Sequence, residues 1–173
     1  KGRLMFVKFK DKENDDVFLS FKDENDIPDA DHVLVIPIYQ GQLLFTKHKI
    51  RGIEFPGGKR EAGESSVQAC DRELFEETGA LINFKDRHYI AQYCVNRQNG
   101  TPFTKDVFMV KVDRLQTKND YLETDGPLIF NSISDISEAY KSYLLKDAAI
   151  LKCLERVIEL GFYSQKKNAD RST

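Results

Sequence analysis

Val33-Leu34-Val35-Ile36-Pro37-Ile38 is a short, β-branched and nearly continuous apolar run, the pattern of a strand buried on both faces. Gln40-Gly41 follows as a turn, and Leu43-Leu44-Phe45-Thr46 reads as the returning strand. Tyr89 to Val95 and Val107 to Val112 predict two more strands. Asn99-Gly100 lies between them as a hairpin-turn signal, because both residues tolerate positive φ. Ahead of all these, an acidic stretch from Asp11 to Asp31 sets two early strand candidates apart from the main body and reads as a solvated loop.

The period then changes from two to that of a helix. A first helix is predicted to begin at Ser65, with Gln68 completing a capping box, and to run to Thr78 before Gly79. A second runs from about Leu145 to Leu160 and stops at Gly161, with Ala148, Leu151, Leu154 and Ile158 as its buried stripe. No repeat or low-complexity linker divides residues 1–173. The reading is one mixed α/β (α+β) domain with helices packed on a sheet.

Composition narrows the class. The chain has 173 residues, 40% hydrophobic and 31% charged, enough to bury a core without disulfides or a structural metal. No apolar run is long enough to span a bilayer, and the opening Lys1-Gly2-Arg3-Leu4-Met5 lacks signal-peptide character. Cys70, Cys94 and Cys153 are odd in number with no C-x-x-C spacing, as expected of reduced thiols in the cytoplasm. A net charge of −2 argues against coating duplex nucleic acid, although not against gripping one phosphorylated end.

The chemistry concentrates between residues 55 and 80. On the predicted first helix Glu73, Glu76 and Glu77 stand at i, i+3 and i+4, so their carboxylates share one side, while Val67, Cys70 and Leu74 form a neighbouring anchoring stripe. Carboxylates this close repel one another unless a cation intervenes. Hard oxygen donors that leave coordination sites to water and phosphate suit Mg²⁺ or Mn²⁺, whereas three glutamates alone read first as a solvated acidic face. Phe55-Pro56-Gly57-Gly58 ahead of them supplies a rigid turn, two points of close backbone approach and a Gly57 carbonyl able to join a metal shell. Arg72 stands beside Glu73 and is positioned in sequence to hold the loop and the carboxylates in place.

From Gly58 to Gly79 the chain resembles the Nudix box, G-x5-E-x7-R-E-U-x-E-E-x-G-U, at every fixed position; Ala80 is a weak occupant of the last hydrophobic slot. Chance agreement would occur about 10⁻⁷ times per start point. The resemblance implies a Nudix fold, a mixed sheet sandwiched between helices, and substitution at phosphorus by a metal-activated water. Carried over by position, it implies Gly57, Glu76 and Glu77 as ligands of Mg²⁺ or Mn²⁺ and Glu73 as ligand or general base.

Beyond the box, the stretches Arg51 to Lys59, Tyr121 to Pro127 and Leu145 to Asp147 look like those of the YtkD-type Nudix enzymes of Gram-positive bacteria. That group implies a purine nucleoside 5′-triphosphate such as 8-oxo-dGTP, or the 5′-triphosphate end of RNA, as substrate. It also nominates Glu123 as a further metal ligand or base, so that Glu73, Glu123 and Arg72 are the catalytic candidates. Arg51, Lys59 and Lys105 are candidates for binding the phosphates. Phe103, Phe108, Tyr89 and Tyr93 could stack on a base but read first as core, and His48 as a polar strand end. Two alternatives stay open: a Nudix hydrolase of another diphosphate (ADP-ribose or a dinucleoside polyphosphate) and a non-catalytic Nudix sensing module. Oligomeric state is open as well.

Overall fold

The computed structural model describes residues 5–165; part of the opening segment used to exclude a signal peptide lies outside them. The strands are β1 (Phe6–Lys10), β2 (Asp16–Phe21), β3 (His32–Tyr39), β4 (Gln42–His48), β5 (Gly52–Glu54), β6 (Gly57–Lys59), β7 (Ala80–Leu81), β8 (Arg87–Asn96), β9 (Phe103–Lys111), β10 (Arg114–Leu115) and β11 (Thr124–Phe130). Nine of them form one sheet, ordered β1-β2-β8-β9-β3-β4-β11, with β5 against β4 and β6 against β3. All its pairings are antiparallel except β3 with β9, so the sheet is mixed.

The continuous apolar run of β3 lies at the centre of this sheet, and its pleat serves two cores. Val33 and Val35 point to one face with Leu44, Leu74 and Phe108. Leu34, Ile36 and Ile38 point to the other with Phe45, Val107 and Ile150. Helix α1 (Ser66–Thr78) covers the first face and α2 (Ala148–Glu159) the second. The expected sandwich of sheet between helices is thus present. Among the described residues no helix is long and apolar enough to cross a membrane, and all three cysteines are free thiols.

Local signals set the element ends. Gln40 and Gly41 both take positive φ, 52° and 80°, at the β3–β4 turn. Ser65 and Gln68 form the reciprocal capping box that starts α1, through bonds of 3.1 and 2.9 Å. Gly79 ends the helix in the left-handed conformation.

Three expectations are corrected. The acidic stretch from Asp11 to Asp31 is not a loop throughout, because β2 runs inside it and places Val17 and Leu19 in the core. The β8–β9 hairpin exists, but its strands close at Val95 opposite Phe103, and of Asn99 and Gly100 only Gly100 has positive φ. Finally, α2 starts later than Leu145. Ser142 and Asp147 cap in succession, accepting from Leu144 N–H (3.2 Å) and Ala149 N–H (2.8 Å), so a short 3-10 turn over Tyr143–Lys146 precedes the helix. The buried stripe of α2 is Ala149, Ile150, Cys153, Leu154 and Val157, while Leu151 and Ile158 are 37% and 36% exposed. Of the four residues expected on that stripe, only Leu154 belongs to the buried set.

Candidate active site

Helix α1 presents its carboxylates beside the strand β6, and glycine is what lets the two approach. A Cβ on Gly58 would lie 2.0 Å from Oε2 of Glu73, and one on Gly57 would lie 2.4 Å from the Val33 carbonyl oxygen. Only chain without side chains fits between α1 and β3 here. Gly57 N–H donates to Oε1 of Glu77 at 3.1 Å. Glu73 and Glu77 are therefore held against the Gly57–Gly58 backbone, on the same side as the residues sequence reasoning had grouped.

Arg72 organises the rest. Its guanidinium donates to both carboxylate oxygens of Glu64 (2.6 and 2.9 Å), to Oε1 of Glu76 (3.1 Å) and to the Lys59 carbonyl (3.1 Å). Glu73 and Glu61 lie at 3.4 and 3.6 Å from Nη1 of Arg72. One forked cation thus ties the loop before α1 to the helix, as expected of Arg72. Hydrogen bonding to Glu64 raises the guanidinium's pKa further, and Arg72 in turn holds Glu64 below the ordinary carboxylate range.

The paired carboxylates behave differently. Burial pushes Glu73 up to about 7, opposed by Arg72 and reinforced by Glu76. Burial likewise pushes Glu77 up to about 8, with the charge of Glu73 adding to it and the Gly57 N–H opposing. Desolvated, mutually repelling carboxylates beside a bare backbone turn suit a hard divalent cation. Among the described residues, no three His, Cys, Asp or Glu side chains converge as a preformed metal-binding group.

On the opposite, α2 face of the sheet opens a cavity of about 500 Å³, within the size range of small-molecule sites. Gly57 and Gly58, the residues that approach Glu77 and Glu73, are among those that line it. Arg51 and Lys105 line it too, as does Glu54. Glu54 is 3% exposed and is bound by the fork of Arg51 (2.9 and 2.8 Å) and by the Ser142 hydroxyl (2.8 Å).

Other predicted residues are placed differently. Lys59 is exposed over a separate hollow with Asp31 and Glu61, and its carbonyl accepts from Arg72. Glu123 is exposed. It adjoins the end of α1 through its neighbour Thr124, whose hydroxyl lies 3.3 Å from the Glu77 carbonyl, and its own carbonyl accepts from Lys49 N–H. His48 is a buried strand end whose Nδ1 accepts from the Ile50 and Arg51 N–H groups. Of the four aromatics, Tyr89, Phe108 and Tyr93 are core, and Phe103 lines the cavity.

Sequence reasoning passed over Glu54, Glu64 and Asp106. Glu64 carried a signal, being a fixed position of the box. Asp106 is fully buried; it accepts from Ala30 N–H (2.8 Å), the Ser66 hydroxyl (2.6 Å), the Gln92 amide (3.0 Å) and the Tyr89 hydroxyl. It thereby anchors the first residue of α1 to the sheet.

A family model, the NUDIX domain, matches residues 28–140. The chain is 35% identical over 156 residues to YtkD of Bacillus subtilis (strain 168), named as a candidate 8-oxo-dGTP diphosphatase; the match spans 89% of this chain and 97% of that protein. It is 32% identical over 79 residues to the phosphatase NudJ of Escherichia coli (strain K12), covering 44% of this chain and 50% of that protein. Among solved structures it resembles the Bacillus subtilis pyrophosphohydrolase BsRppH, crystallised as a mutant, with TM-score 0.79 and 33% identity over 91% of this chain and 99% of that one. A NUDIX hydrolase from Nitrosomonas europaea shares the fold, with TM-score 0.59 and 24% identity over 74% of this chain and 87% of that one.

Proposed function

Because this chain belongs to the Nudix family of hydrolases, we propose that it cleaves a phosphoanhydride bond of a purine nucleoside 5′-triphosphate such as 8-oxo-dGTP, or of RNA bearing a 5′-triphosphate end. The name of YtkD supports 8-oxo-dGTP as substrate, and that of BsRppH supports pyrophosphohydrolase chemistry. The observation that carries the proposal is the approach of Glu73 and Glu77 to the bare Gly57–Gly58 backbone of β6, which also lines the cavity. A phosphate chain lying there would have carboxylates on one side and the substrate cavity on the other.

Gly57 through its carbonyl, with Glu73, Glu76, Glu77 and Glu123, form the proposed donor set for Mg²⁺ or Mn²⁺. Bound there, a divalent cation would polarise phosphate oxygens and acidify a water molecule. Glu73 would either ligate the cation or take a proton from the attacking water as general base. Arg72 keeps Glu76 and the Glu64 loop in register, a positioning role rather than a chemical one. Arg51 and Lys105 would bind substrate from within the cavity, while Lys59 would add only to the field outside it.

The test is a substrate panel with product identification: 8-oxo-dGTP, dGTP and 5′-triphosphorylated RNA, each with Mg²⁺ or Mn²⁺. Turnover of at least one, lost in Glu73→Gln and Glu77→Gln, is the expected result. Inactivity on all three, with AMP released from ADP-ribose, would replace this reading with the other diphosphate class.

A further inference from the structure

The backbone of the two glutamates at the end of α1 is held from outside the helix. A helix leaves its last carbonyls without partners of its own, and buried ones must find donors elsewhere. Lys118 donates its ammonium to the Glu76 carbonyl (2.9 Å) and reaches that of Phe75 (3.3 Å). The same nitrogen lies 4.8 and 5.5 Å from the ring centres of Phe75 and Tyr121. The Glu77 carbonyl accepts from the Thr46 hydroxyl on β4 at 3.0 Å and lies 3.3 Å from that of Thr124 on β11. Thr46 and Thr124 are 0% and 2% exposed, which shields these contacts from solvent.

Lys118 and Thr124 bracket the turn that carries Glu123. Within it the Tyr121 hydroxyl accepts from Lys118 N–H (3.1 Å), and the Asp120 carboxylate accepts from Leu122 N–H (2.8 Å). The Tyr121 carbonyl lies 3.3 Å from both the N–H and the hydroxyl of Thr124. Leu122, directly before Glu123, has a φ of 62°, a left-handed conformation that leucine seldom adopts. Backbone strain of this kind persists only where neighbouring contacts over-determine it. Those contacts are the two grips on α1, together with Lys49 N–H, which donates to the Glu123 carbonyl (3.1 Å). The chain is thus fixed on both sides of a residue whose own side chain is exposed.

Resting on the metal-dependent reading above, we propose that Lys118 and Thr124 are positioning residues that set Glu123 against Glu76 and Glu77, so that a carboxylate from outside the box joins those of the helix. Neither needs to touch substrate or cation, because each acts through the backbone of a glutamate. Thr124 is the more direct of the two: it adjoins Glu123 in the chain, and its hydroxyl meets the Glu77 carbonyl. Lys118 makes the corresponding link to Glu76 from the other end of the turn.

Calorimetric binding of Mn²⁺ to the protein without substrate tests this independently of turnover. Loss of a group that orients a metal ligand costs roughly 10- to 100-fold in affinity. Thr124→Val keeps the shape and strand preference of the residue but removes the hydroxyl, and should weaken Mn²⁺ by that factor; Thr124→Ser should restore most of the loss. Lys118→Met removes a positive charge near the cation, which by Coulomb repulsion relieved would alone tighten binding, whereas a positioning role predicts weaker binding. In a Glu123→Gln background the Thr124→Val loss should largely vanish, because the group it positions is gone. The unfolding midpoint of each variant is measured alongside, and should Thr124→Val not fold, the sign of the Lys118→Met effect decides. Unchanged Mn²⁺ affinity in Thr124→Val, tighter binding in Lys118→Met, or an equal Thr124→Val loss with Glu123→Gln present would each overturn the proposal and leave the hydrolase reading intact. Absence of Mn²⁺ binding by the unmodified protein would instead remove the metal-dependent reading, and this inference with it.

Discussion

Glu73 and Glu77 make the stability of the metal-free protein depend on pH in a direction opposite to that of ordinary salt-bridged carboxylates. Their pKa values in the folded chain, about 7 and about 8, stand above the usual 4.5. Between those limits the native protein holds protons that the unfolded chain has released. Unfolding therefore becomes more favourable as pH rises through this window. The rise corresponds to about 3 kcal/mol for Glu73 and about 5 kcal/mol for Glu77. Part of each is the same mutual repulsion, so the pair loses on the order of 5 kcal/mol between pH ~4.5 and ~8 rather than the sum. For a chain of this size that is a drop of roughly 10–20 °C in midpoint. Thermal or urea unfolding in EDTA across this range would measure it. Glu77→Gln, whose amide oxygen can still accept from Gly57 N–H, should flatten the fall, and Mg²⁺ should restore the unmodified protein most strongly at the alkaline end. If the metal-free curves of the unmodified protein and Glu77→Gln run parallel, the two carboxylates are not the coupled, desolvated pair described above.

Three further outcomes are expected. Arg72→Ala leaves Glu64 without its forked partner and Glu76 without its tether; a loss of about 1–3 kcal/mol in urea unfolding and a fall in kcat of at least tenfold should accompany each other, and unchanged kcat would contradict the positioning role. Gly58→Ala must drive the Glu73 carboxylate away from a point 2.0 Å from the new methyl group, so kcat should fall on the order of 100-fold with circular dichroism unchanged; near-normal turnover would show that Glu73 need not sit there. Asp106→Ala strands the donors of Ala30, Ser66, Gln92 and Tyr89 and should cost about 3 kcal/mol or more by denaturant titration, whereas a cost below 1 kcal/mol would mean water replaces the carboxylate.

The fold was legible where a local signal coincided with its tertiary use. The β3 run is apolar at every pleat because both faces of that strand are covered, and the ends of α1 announce themselves through Ser65, Gln68 and Gly79. Strand β2 hid among acids, since only Val17 and Leu19 of its six residues are fully buried. The face of α2 was misread because Leu151 and Ile158 are as apolar as the residues beside them, and only packing against the sheet decides which set turns inward. Within the site, the box glutamates and Arg72 could be grouped by helical spacing. Asp106 could not, because its partners lie far along the chain, Ala30 being 76 residues away, and Glu54, although only three residues from Arg51, is tied to the site's wall through Ser142, 88 residues away. The exposed position of Glu123 and the separation of Lys59 from the cavity were equally beyond the reach of spacing.

In the function proposed above the two faces of the sheet take separate tasks, and Gly57 and Gly58 adjoin both. Reactive carboxylates hang from α1, and the cavity walls come from β9, the 138–147 segment and the start of α2. Such a partition gives the molecule modularity. Residues that grip a ligand can be exchanged on one side while the reactive groups, which they do not touch, keep their arrangement on the other. A lineage built this way can drift from one phosphorylated molecule to another in small inherited steps, and a protein engineer wishing to retarget it has a bounded stretch of chain to randomise.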